Sequence, residues 1–397
     1  MELSKLTLEI FSRLEMKWLM ECSNERSSNN QAWSPSKKKE EKTRILSIDG
    51  GDLVAGEVLV YLEDQIKAKS SNPEARIPDF FDIIAGTGMG GVLAVLLTVS
   101  NPGTGRPLFS AREAVDFLQS NHRDLFRPAG FFRRRSRKFS ASSFERVLRD
   151  ALRGSDGRAL TLRDACKPLL IPCYDLNTSA PFVFSRADAS DSPSFDFDLW
   201  RVCRATSATP GLFKPFKLAS IDGRTSCAAI DGGLVMNNPA AAAVTHVLHN
   251  KREFPFVSGV EDLAVLSLGK GPPSRRLSGS PRCSGAAVIG IVLDGVSGTV
   301  DQILGNAFCW NPSYYVRIQA NGPATEEKDG LKTAGERMLS EKGLETLPFG
   351  GKRLLKETNG ELIEAFVHRL GVSQGDGKDS ASPLSGWMTT VSSDNCA

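Results

Sequence analysis

The chain has 397 residues, 41% hydrophobic and 24% charged, which suits one large α/β domain or two smaller ones and excludes a fibrous or wholly disordered protein. A formal net charge of +3 is too small to suggest a nucleic-acid partner. Four histidines and eight scattered cysteines, with no Cys-x-x-Cys pair, argue against a metal site or a disulfide framework. No metal or cofactor is expected, and the thiols read as reduced and buried in a cytoplasmic protein.

In chain order, Leu3, Leu6, Ile10, Phe11, Leu14 and Trp18 recur at helical spacing among charged residues, which predicts an amphipathic helix and not a signal peptide. Residues 21–42 are polar and read as a linker, so 1–42 forms an appendage to a domain over 43–371. Ile45–Ile48 is an apolar strand that stops at Asp49-Gly50-Gly51, and a helix follows with Val58, Leu59, Leu62 and Ile66 on one face. Phe81–Ala85 is a second strand, broken by Gly86-Thr87-Gly88-Met89-Gly90-Gly91. Val92–Leu97 then form a helix that is apolar all round and therefore buried. Strand, turn and helix repeating in this order predict a mostly parallel sheet with helices on both faces. Further strands are expected at Leu169–Tyr174, Pro181–Ser185, Ala228–Ile230 and Leu263–Leu268, and helices at Phe197–Ser207, Ala240–His249, Ala286–Asn306 and Lys352–Leu370. No run is expected to be long and apolar enough to span a bilayer. Residues 372–397 are poor in apolar side chains and predict a disordered tail.

Three turns carry chemistry. Gly86-Thr87-Gly88-Met89-Gly90, between a strand and a buried helix, has the context of a nucleophile elbow, but glycine stands where the attacking serine would be. Alone it fits a nucleotide-binding βα turn better. Asp49-Gly50-Gly51 could aim successive backbone N–H groups at a developing oxyanion or at a phosphate, although the phosphate-loop and dinucleotide glycine spacings both fail. Asp231-Gly232-Gly233 closes a strand and precedes an Asn/Pro helix start, which suits either a base at the sheet's carboxyl edge or a capping aspartate.

In this order the three turns resemble the patatin-like phospholipase family, which is marked by an Asp-Gly-Gly-Gly turn, a Gly-x-Ser-x-Gly elbow and an Asp-Gly-Gly/Ala motif. The stretches Asp79-Phe80-Phe81-Asp82 and Arg204-Ala205-Thr206-Ser207-Ala208-Thr209-Pro210 are family-like too, and the resemblance covers about 44–371. Its Gly-Thr-Gly-x-Gly elbow is similar to that of the plant patatin-related phospholipases A of type III, so Gly88 reads as a lineage trait. The resemblance implies a patatin-like acyl hydrolase fold of the α/β class, acting on lipid acyl esters (phospholipid or galactolipid) without a cofactor. It implies Asp231 as the base, Gly50 and Gly51 as oxyanion donors, Gly88 at the nucleophile position, and Asp49, Gly86, Gly90, Gly232 and Gly233 as motif residues.

Gly88 closes the covalent acyl-enzyme route, and Asp52 stands where the family has a third glycine, placing a carboxylate beside the oxyanion turn. Hydrolysis is therefore expected to be weak or lost, with water activated by Asp231 as the surviving route. The alternative is a non-catalytic lipid-binding or regulatory protein, and a distant third is acyl transfer to another acceptor. Thr87 and Ser207 are the other hydroxyls near the motif; Thr87 is expected to face away from the elbow tip and Ser207 to end a helix. Phe131, Phe132, Arg133, Arg134 and Arg135 begin an aromatic and basic loop that is equally well a peripheral membrane contact or a solvated surface. Cys22 and Cys396 are the cysteines most open to lipidation.

Overall fold

The computed structural model describes residues 42–50, 53–101, 103–125, 140–270, 285–321, 330–347 and 351–370, without the side chains of 286 and 287. The segments expected as an N-terminal helix, a basic loop (Phe131 to Arg135) and a tail, together with Gly51, Asp52, Cys22 and Cys396, lie outside the described residues.

The strands are β1 (Thr43–Ile48), β2 (Ile83–Gly86), β3 (Leu169–Asp175), β4 (Ala180–Ser185), β5 (Phe216–Ala219), β6 (Ser226–Asp231), β7 (Leu263–Leu268), β8 (Tyr315–Ile318), β9 (Lys342–Thr346) and β10 (Lys352–Thr358). The helices of eight residues or more are α1 (Val54–Ser70), α2 (Gly88–Thr98), α3 (Ala111–Ser120), α4 (Ala141–Ala151), α5 (Leu199–Thr206), α6 (Ala240–His249), α7 (Gly285–Ala307), α8 (Leu331–Ser340) and α9 (Asn359–Leu370).

An eight-stranded sheet runs β5-β6-β3-β2-β1-β7-β8, with β4 beside β3. Pairing is parallel from β3 through β2, β1 and β7 to β8, and antiparallel where β6, β4 and β5 join. The alternation along β1 explains the layering. Leu46 and Ile48 pack with α1 and α2 in one core, whereas Ile45 points to the other face with α6, Leu304 and Phe308. Both faces are thus covered, as the βα rhythm predicts, and the carboxyl ends of β1 and β2 meet at one edge.

The expected elements appear within a few residues of their predicted bounds, with one reversal. Lys352–Thr358 is not the start of the last helix but strand β10, which pairs antiparallel with β9 and has a register shift between Leu354 and Thr358. Leu354 and Leu355 fit a helical stripe locally, but the partner strand decides the matter. Helices α3, α4 and α8 and strands β5, β8 and β9 lie outside the expected elements, and Phe81 caps a short turn, Ile77–Phe80, instead of opening β2. The expectation about bilayer-length segments also fails: the 20 residues Val288–Ala307 of α7 are long and apolar enough by length and composition. Asp294 and Asp301 are the charged residues of that run, and its glycines and polar residues dilute the apolar pattern.

Candidate active site

The elbow forms where β2 runs out. Thr87 is extended, with φ −124° and ψ 145°, and Gly88 turns the chain into α2 with a left-handed φ of +55°. A side chain at such a φ is strained by about 1–3 kcal/mol, a cost that functional elbows carry and glycine avoids. The turn is tight because backbone crosses backbone. A Cβ on Gly90 would lie 2.3 Å from the Asp49 carbonyl oxygen, and one on Gly86 2.4 Å from that of Gly90. Both flanking glycines are therefore fixed by close approach, not by a ligand. The Gly88 N–H donates to Thr206 Oγ1 at 3.0 Å, and that hydroxyl donates to the Pro172 carbonyl at 2.7 Å, so the end of α5 holds the elbow from the side.

Gly88 itself has room. A Cβ built there would stand 3.5 Å from Gly50 Cα and 3.7 Å from Asp231 Oδ1, both ordinary van der Waals separations. It would point at the carboxylate that ends β6. The two turns therefore meet with the spacing a hydroxyl–carboxylate pair requires, and the hydroxyl is the part that is missing.

Asp231 is held from three sides. Its N–H donates to the Ala208 carbonyl at 3.1 Å, the Gly233 N–H donates to Oδ1 at 2.8 Å, and the Thr209 hydroxyl donates to Oδ2 at 2.6 Å. Gly232 starts the helical turn Gly233–Met236, with the Val235 N–H on its carbonyl at 3.1 Å. Burial pushes the Asp231 carboxyl above its ordinary value, against the two hydrogen bonds that favour its charge. A carboxylate in this condition binds a proton more readily than a solvated one, which suits a base.

The first glycine turn is arranged differently from the expectation. The Gly50 N–H donates to the Asn237 carbonyl at 3.1 Å, so that bond must open before the amide can serve an oxyanion. Asp49 is committed to a buried ion pair. Arg317 of β8 holds both its carboxylate oxygens, one at 2.8 Å, while Ser297 of α7 donates to Oδ2 at 2.7 Å. Burial alone would lower the proton affinity of Arg317, but the Asp49 carboxylate outweighs it and holds the guanidinium above its ordinary value. Asp49 is thus a strut between β1, β8 and α7.

The two expected alternative hydroxyls are placed as follows. Thr87 is buried and donates to the Met236 carbonyl at 2.7 Å, away from Asp231. Ser207 caps the end of α5, with its hydroxyl buried and without a hydrogen-bond partner among the described residues. The hydroxyl that does reach Asp231 is Thr209, which residue-by-residue reasoning missed. So were Thr206 and Arg317. All but Arg317 lie in the 204–210 stretch already singled out, and the signal is a helix that ends shortly before Pro210.

Comparison with known proteins agrees with this geometry. The family model of patatin-like phospholipase matches residues 57–244, which include the elbow and the Asp231 turn. Probable inactive patatin-like protein 9 of Arabidopsis thaliana is 58% identical over 395 residues, covering 96% of each chain. Patatin-like protein 7 of the same plant is 42% identical over 92% of this chain and 80% of its own. Patatin-16 of Solanum tuberosum is 29% identical, over 59% of this chain and 62% of its own. With a glycine at the nucleophile position of an otherwise recognisable elbow, this chain belongs to the patatin-like phospholipase family.

Proposed function

We propose that this protein binds lipid acyl esters, of phospholipid or galactolipid, at the Gly88–Asp231 site, and that covalent turnover has been lost from it. One observation carries the reading: the position of a Cβ on Gly88, 3.7 Å from Asp231 Oδ1, at a φ of +55° that the elbow keeps although glycine does not need it. A drifting site would have no reason to preserve both the backbone of the elbow and the aim of the carboxylate. The Arabidopsis relative described as probably inactive is in keeping with it.

Asp231 supports one residual reaction. A water hydrogen-bonded to Oδ1 would stand where the serine hydroxyl stood; Asp231 would take its proton as it attacks the ester carbonyl carbon, then return that proton to the departing alcohol. Binding and electrostatics without the nucleophile leave roughly 10³–10⁴-fold catalysis over water in a serine protease, which sets the scale.

The experiment compares wild type, Gly88→Ser and Asp231→Asn on phosphatidylcholine vesicles and on a soluble short-chain ester. Gly88→Ser is expected to gain at least about 100-fold in hydrolysis, below the roughly 10⁶ that loss of a serine costs elsewhere. Wild type is expected to bind the soluble lipid saturably. No gain in Gly88→Ser, together with no saturable binding by wild type, removes this reading. Wild-type hydrolysis that Asp231→Asn leaves untouched removes the water route alone.

A further inference from the structure

Helix α7 is inside out. On a wheel of about 100° per residue, Val288, Ile291, Val292 and Ile303 fall within an arc of about 120°. These four side chains are 48%, 56%, 37% and 57% exposed. Ser297, Asp301 and Leu304 occupy the opposite side and are buried. The polar members of that inner side are committed: Ser297 donates to Asp49, and Asp301 accepts from the Tyr315 hydroxyl at 2.7 Å. A helix on a water-facing surface carries its polar side outward. This one turns four large aliphatic side chains to the outside and commits Ser297 and Asp301 to the fold.

We propose that the outer face of α7 lies flat in the interface of a neutral or zwitterionic lipid surface and sets the acyl site at its edge. The proposal rests on the lipid reading of the Gly88–Asp231 site. Four features select a lipid surface as the occupant. First, α7 borders that site: a Cβ on Gly233 would stand 3.0 Å from Leu293 Cδ2, and Asn237 Nδ2 donates to the Leu293 carbonyl at 3.3 Å. Leu293 is on the inner side of the helix, so the site lies one helix diameter, about 10 Å, from whatever covers the outer face. Second, the apolar arc carries no charge; Asp294 falls outside it, and Thr299, Gln302 and Asn306 are its polar members. An apolar arc of this kind enters an acyl boundary without cationic help, so anionic headgroups are not required. Third, Trp310, just past the end of α7, is half exposed, and indole rings favour the water–hydrocarbon boundary. Fourth, the face is small. A helix of 23 residues is about 34 Å long, and an exposed strip about 10 Å wide offers on the order of 300–400 Å². A stable partner protein takes roughly 800 Å² from each side.

Bilayer crossing, which the length of α7 would allow, is opposed by its inner side. Extracting Ser297 and Asp301 would break their bonds to Asp49 and Tyr315 and carry a carboxylate into hydrocarbon. Flat insertion keeps every one of those bonds.

The test is flotation of the full chain with phosphatidylcholine vesicles at low and high salt, for wild type and for Ile291→Glu/Ile303→Glu. Wild type is expected to float at both salt levels, and the double variant to lose about tenfold or more in bound fraction while keeping its circular dichroism. Ile291→Ser/Ile303→Ser, a milder pair, is expected to fall between them, and it decides the question if the glutamates perturb folding. Wild type that stays with the soluble fraction, or variants that float as well as it does, overturns the proposal. So does a wild-type dimer in lipid-free solution that the substitutions turn into a monomer, because a second copy then covers the face. Binding of a soluble short-chain phosphatidylcholine, measured alongside, separates the two readings. If wild type binds it but does not float, α7 docking alone fails. Flotation without soluble-lipid binding removes the acyl-site reading and leaves the docking helix.

Discussion

Two apolar helices flank the site, and they do opposite things. All eleven residues of α2 are buried, and the helix fixes the elbow at its first residue, Gly88. Helix α7 is longer and also rich in Val, Ile, Leu and Gly, yet its large aliphatic side chains on one side are exposed and its buried side holds Ser297 and Asp301. The arrangement around the helix axis separates these fates. Where apolar groups surround the axis the helix belongs to the core. Where polar groups face the fold and aliphatic groups face out, the helix is pinned by electrostatics and keeps a surface for something else.

The sharpest way to break the comparison is to remove what pins α7. Arg317→Leu would leave the Asp49 carboxylate buried against Ser297 with no cation, a loss of about 3–5 kcal/mol in urea unfolding. Adding Asp49→Leu to that variant is expected to recover much of the loss, because the pair is then removed together. If Arg317→Leu changes the unfolding midpoint no more than a surface substitution does, the strut is not what holds α7 against the sheet.

A paired truncation sharpens the contrast between the helices. Leu96→Ala in α2 removes a fully buried side chain and is expected to cost about 2–5 kcal/mol. Ile303→Ala in α7 removes a side chain that is 57% exposed and is expected to stay within about 0.5 kcal/mol. Equal losses would mean that Ile303 is covered in solution.

The legible part of this protein was what repeats or punctuates. Short apolar runs placed β1, β2, β6 and β7, and three glycine turns in order disclosed the family, the elbow and Asp231. What stayed hidden depends on partners distant in sequence. Lys352–Thr358 is a strand because β9 pairs with it, and nothing within the segment says so. Thr209 meets Asp231 across 22 residues, and Arg317 meets Asp49 across 268. Arg317 did leave one local trace, a lone cation inside Tyr315-Val316-Arg317-Ile318. A buried arginine of that kind requires an acid, and here it is supplied from the end of β1, one strand beyond the adjacent β7. The inverted polarity of α7 was written in its sequence but has meaning only once the inner side is known.

The smallest expected effect concerns Asp231, which belongs to neither helix but stands between the two. Burial holds its carboxyl above the ordinary value of 3.8, so between that value and the raised one the folded chain binds more protons than the unfolded chain. Stability from this group is therefore complete below the ordinary value and declines as pH rises through the raised one. Asp231→Asn removes the charge while retaining an oxygen for the Gly233 N–H and an amide facing the Thr209 hydroxyl. It is expected to raise stability at pH 7 by roughly 0.5–2 kcal/mol, the range typical of substitutions that relieve a functional strain. That gain should shrink as pH is lowered toward the ordinary carboxylate value, because the wild-type side chain is then neutral as well. Thermal melts of both proteins across that window decide it. A gain independent of pH would come from packing, and a loss at pH 7 would mean that the hydrogen bonds from Thr209 and Gly233 outweigh burial; in that case Asp231 is a structural carboxylate and not a base held ready beside Gly88.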